Sequence, residues 1–137
     1  MEAIKDLFST KATAAAAEIK EIIKTHGEKK IGDVTLAQVY QGMRGITGLV
    51  TETSLLDAQE GIRFRGFTIP ELQAALPKVA GGDEPLPEGL FYLMMVGEIP
   101  SAEDVKEITS NWQRRSHVPS HVFSVIDALP LNTHPMT

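Results

Sequence analysis

The 137-residue chain has no cysteine, which rules out a disulfide framework and a thiolate metal site. It has no apolar run approaching ~18 residues, so no segment reads as a membrane span. It also lacks a surplus of base: 13 Lys and Arg stand against 18 Asp and Glu, a net charge of −5. A dedicated nucleic-acid binder would show a basic face instead. The opening residues, Met1-Glu2-Ala3-Ile4-Lys5-Asp6, carry acids and no arginine. That is unlike an intact mitochondrial presequence, so the chain reads either as never having had one or as numbered from a trimmed start. The usual catalytic signatures are missing too. There is no P-loop, no G-x-G-x-x-G, no H-E-x-x-H and no nucleophile elbow.

What remains is ordinary for a globular chain: 42% hydrophobic and 23% charged residues. The length fits one domain or a piece of a larger one. Ala15, Ile19, Ile22 and Ile23 make one apolar stripe, which predicts a helix stopped at Gly27. Ile31 to Val34 reads as a short strand. Thr35 and Gln38 form a capping box that opens a short helix ending near Gly42 or Gly45. Val50–Leu56 and Ile62–Phe67 read as a half-buried hairpin turning at Asp57–Gly61.

A second capping box, Thr68 with Glu71, opens a helix that closes by Pro77. The stretch from Pro77 to Pro87 is rich in proline and glycine and predicts a loop. Glu88–Val96 is apolar nearly all round and should be deeply buried. Ser101 caps the next helix, whose inward stripe is Val105, Ile108 and Trp112. A last helix opens at Pro119 and runs to Leu129, with Val122, Val125, Ile126 and Leu129 inward. The fold class is therefore mainly α with a small β-hairpin. The chain divides into 1–30, an amphipathic helix and connection; 31–76, short strands, hairpin and capped helices; and 77–137, a helical part.

Few residues invite chemistry. His117 and His121 are four apart, a helical metal-pair spacing, but Pro119 lies between them and no third ligand is near. His26 suits a helix C-terminus, and His134 stands in coil before Pro135. No metal site is assigned. In Gly42-Met43-Arg44-Gly45-Ile46-Thr47-Gly48 three glycines surround one arginine. Glycines let a ligand approach the backbone, and arginine grips phosphate. The alternative is a tight turn with a solvated arginine. Arg63 and Arg65 share a strand face, either as an anion site or paired with acids such as Glu52.

The run GMRGITGLVTETSLLDAQEGIRFRGFTIPEL, Gly42 to Leu72, resembles citrate synthases, most of all the eukaryotic mitochondrial type. Three further blocks follow in the family's order: GGDEPLPEGLFYLMMVGEIPS from Gly81 to Ser101, Val118-Pro119-Ser120-His121-Val122, and Thr133-His134-Pro135-Met136. The resemblance implies the N-terminal part of a mostly helical homodimer, incomplete in this chain. Such an enzyme condenses acetyl-CoA with oxaloacetate and releases citrate and CoA. It implies no permanently bound cofactor, no nucleic-acid or membrane partner, and residence in the mitochondrial matrix. The family's carboxylate and histidines lie downstream of the His-Pro-Met stretch, so no catalytic residue is expected here and the isolated chain should be inactive. Arg44 matches an arginine that contacts CoA phosphates. A non-catalytic assembly module and 2-methylcitrate synthase are the alternatives.

Overall fold

The computed structural model describes residues 2–46, 48, 50–134 and 136. Six helices and one small sheet follow in the order α1 (Glu2–His26), α2 (Leu36–Tyr40), β1 (Ser54–Asp57), β2 (Gly61–Phe64), β3 (Phe67–Thr68), α3 (Ile69–Ala75), α4 (Pro87–Val96), α5 (Ala102–Arg115) and α6 (Ser120–Asp127). The mainly α class holds. No helix among the described residues is long and apolar enough to cross a membrane.

Local chemistry fixes the helix starts. Thr35, Thr68 and Ser101 each accept from the backbone N–H three residues on, and Gln38, Glu71 and Asp104 reach back to the cap. Each box satisfies two of the donors that an α-helix leaves free at its N-terminus. Proline opens α4, and Gly97 closes it at φ +83°, donating its N–H to the Leu93 carbonyl at 2.7 Å. Only a residue tolerant of the left-handed region closes a helix this way at little cost.

α4 is the spine of the core. Tyr92 and Val96 meet Ile4 of α1 and Ile108 of α5, with Leu7 and Phe91 against them. Leu93 faces Leu72 and Leu76, with Phe64, Phe67, Leu90 and Ile99 packed around. The α1–α4 contact is tied at its edge by an ion pair between Lys11 and Glu98. Burial pushes the Tyr92 hydroxyl above its ordinary value, and the carboxylates of Asp104 and Glu98 push it further.

Several expectations need correction. Ile31–Val34 is not a strand: Ile31 is 83% exposed and has no ladder partner. The sheet has three antiparallel strands in the order β1-β2-β3, not two. Ser54 faces Phe64 in register and Arg63 faces Thr68. The third strand arises because Arg65 and Gly66 both take positive φ and turn the chain within two residues. β2 and β3 are half-buried, whereas β1 is exposed throughout.

The stripe on α1 is also not its buried face, since Ile19, Ile22 and Ile23 stand exposed and Ile4 is the buried residue. On α5, Asn111 is buried where Trp112 was expected; Trp112 lies at the surface with its ring edge-on to Phe91, centroids 5.2 Å apart. α4 is less enclosed than its composition predicts, with Met95 exposed. α6 buries none of its residues, and Val125, Ile126 and Leu129 face outward.

The candidate CoA-contact turn

Arg44 sits on the turn that follows α2. The helix ends when Gln41 donates its N–H to the Ala37 carbonyl at 2.9 Å. Three of the next four residues are left-handed: Gly42 at φ +74°, Met43 at +61° and Gly45 at +73°. For the glycines this costs little, but Met43 carries a Cβ and stores strain of about 1–2 kcal/mol. Two hydrogen bonds hold it there. The Met43 N–H donates to the Gln38 carbonyl at 2.8 Å, and the Ile46 N–H donates to the Met43 carbonyl at 3.3 Å. Strain held in place is a pointer to a functional turn rather than a passive one.

The result is an exposed Arg44 guanidinium with no ion pair or hydrogen bond among the described residues. A recess of about 290 Å³ lies beside it, lined by Ile31–Val34, Gly45 and Ile46. The one acid in that lining, Asp33, is engaged by Lys30 in an ion pair. The charge left facing outward at this turn is therefore Arg44's. Free guanidinium donors on a glycine turn fit a phosphate or carboxylate oxygen. Thr47, within the motif, lies outside the described residues.

The other candidate arginines do not form an anion site. Arg63 donates to Glu60 through Nε at 3.1 Å and Nη2 at 2.8 Å, and through Nη1 to the Gly66 carbonyl at 3.0 Å. Its acid partner is therefore Glu60, three residues back on the same hairpin, rather than Glu52. Arg65 leaves the strand face at φ +50° and sends Nε and Nη2 to the Met94 carbonyl, at 3.2 and 2.7 Å. It caps the C-terminal end of α4, where a cation meets the negative pole of the helix. Alternation along a strand did not show this, because Arg65 belongs to the turn.

The histidines stay apart. His117 and His121 are both exposed, and among the described residues no group of three or more metal-ligating side chains converges. His134 accepts the Met136 N–H on Nδ1 at 3.1 Å, while Pro135 lies outside the described residues.

Comparison with known proteins agrees with the resemblance in the sequence. Residues 42–137 match the family model described as "Citrate synthase, C-terminal domain". The chain is 48% identical over 134 residues to the "Probable citrate synthase, mitochondrial" of Glossina morsitans morsitans, covering 98% of this chain and 29% of that one. It is 48% identical over 136 residues to the "Citrate synthase, mitochondrial" of Aspergillus niger, covering 99% of this chain and again 29% of the relative. The chain thus spans under a third of the length of the relatives it matches, and it belongs to the citrate synthase family.

Proposed function

We propose that these residues form the N-terminal part of an enzyme that condenses acetyl-CoA with oxaloacetate to give citrate and CoA. Within it, Arg44 contacts the CoA phosphates. The observation that carries the site assignment is an exposed guanidinium, unpaired among the described residues, on a strained glycine turn. CoA enters as substrate and leaves as product, with no permanently bound cofactor. The carboxylate that removes the methyl proton and the histidines that polarise the reactants belong to the family's downstream region. General acid–base work of this kind needs those groups within hydrogen-bond reach together. Both relatives are named as mitochondrial, which favours the mitochondrial matrix as the site of action. The complete enzyme acts as a homodimer. Both names also favour citrate synthase over the 2-methylcitrate alternative.

The test is Arg44→Ala in a chain of the relatives' length. The apparent constant for acetyl-CoA should rise about tenfold at low ionic strength, and less in salt, because the side chain is exposed. The constant for oxaloacetate should stay close to its starting value. An unchanged acetyl-CoA constant would return Arg44 to the role of a solvated turn residue.

A further inference from the structure

A second feature lies away from Arg44. A trough of about 360 Å³ runs between the 77–86 loop and α5, with Pro77, Lys78 and Leu86 on one wall and Val105, Lys106 and Thr109 on the other. Both walls are held. The loop is closed by the Leu86 N–H donating to the Pro77 carbonyl at 3.1 Å and by an antiparallel bridge between Lys78 and Pro85. The other wall is a face of α5 that begins at Ala102 and continues through Ser110 and Gln113. On an α-helix that face is roughly 16 Å long, the span of about five extended residues.

The apolar lining of the trough is Pro77 and Leu86, over a Val105 that is itself buried, and its rim is Lys78, Lys106, Ser110 and Gln113. No acid lines it. Neither lysine makes an ion pair or side-chain hydrogen bond among the described residues, in a chain whose net charge is −5. The carboxylate tied to its wall is Glu88, which lies behind Thr109 and accepts from its hydroxyl at 3.0 Å. The recess along α1 is bordered by a single lysine, Lys20, where the trough has two. A rim of unpaired lysines marks a surface meant for water or for a charged partner.

We propose that this trough docks a short, extended, acidic segment of a partner protein. Carboxylates of the segment meet Lys78 and Lys106, and an apolar side chain between them lies on Pro77 and Leu86. Charge complementarity selects the acidic segment. The open, elongated shape selects an extended peptide over a small enclosed ligand.

The experiment measures fluorescence anisotropy of a labelled hexapeptide of alternating glutamate and leucine against the 137-residue chain, at protein concentrations below any self-association. A chain of the relatives' length is measured in parallel. Both should bind it, with affinity falling as salt rises from about 0.01 M to about 0.5 M. The double variant Lys78→Ala, Lys106→Ala should weaken binding about tenfold with its circular dichroism unchanged. Lys20→Ala, Lys29→Ala, remote from the trough, should leave binding as it was. Equal binding by the two double variants, or by a lysine–leucine peptide, would overturn the proposal. So would equal binding of a glutamate–serine peptide displaced by millimolar inorganic phosphate, which would mark a simple anion site. Loss of binding in the longer chain would show that the trough is an internal packing surface.

Discussion

Single residues here fall into those whose role is local and those whose role depends on distant chain. The capping residues are local, which is why Thr35, Thr68 and Ser101 were legible from spacing alone. Glu71 shows how such a residue answers to pH. The Thr68 backbone N–H, at 2.7 Å, and then its hydroxyl hold the Glu71 carboxyl below its ordinary value. A lowered carboxyl in the folded state stabilises above the unfolded value, near pH 4.5, and that contribution disappears as pH falls through the lowered folded value. Glu71→Gln should therefore lower the melting temperature at pH 7, and its difference from the parent chain should shrink below about pH 4. Thermal melts at several pH values check this, and a difference that stays constant down to pH 3 would contradict it. Arg65 was not legible in the same way. Its position in a two-residue turn, aimed at the Met94 carbonyl, depends on a helix 29 residues away.

At the scale of elements, propensity located the helices and tertiary contact decided their burial. Composition predicted α4 well because proline, glycine and large apolar residues all lie within its own segment. The Ile31–Val34 strand failed because Gly32 and Asp33 disfavour extended pairing, and the two β-prone residues, Ile31 and Val34, form no strand without a neighbour to pair with. The predicted inward face of α6 failed for a related reason: nothing among the described residues covers it. This contrast makes a stability prediction. Leu93 is fully buried at the centre of α4, so Leu93→Ala should cost about 2–5 kcal/mol in urea unfolding. Ile126 is 55% exposed on α6, and Ile126→Ala should change the isolated chain by no more than about 0.5 kcal/mol. Equal costs would mean that α6 is covered in solution.

For the whole molecule, the surface area is the telling quantity. A compact monomer of 14.9 kDa exposes about 7,000 Å². This chain exposes 11233 Å². The surplus exceeds the area of a standard protein interface and includes Ile19, Ile22, Ile23, Phe123, Val125 and Ile126. A surface of this kind self-associates or recruits the remainder of a larger fold. Sedimentation of the 137-residue chain over a concentration series should show association, whereas a compact monomer with a cooperative melt would favour an independent module. The family was legible from four ordered blocks of sequence. The exposure of these faces was not, because an apolar stripe in the sequence does not say what packs against it, and nothing among the described residues covers α6. The most direct test of the account is oxaloacetate-dependent thiol release from acetyl-CoA, measured on the purified 137-residue chain beside a chain of the relatives' length carrying it. The account predicts turnover by the longer chain and none by the shorter, since proximity of the full set of groups supplies much of the rate. Turnover by the 137 residues alone that survives repurification, or none by the longer chain, would contradict it.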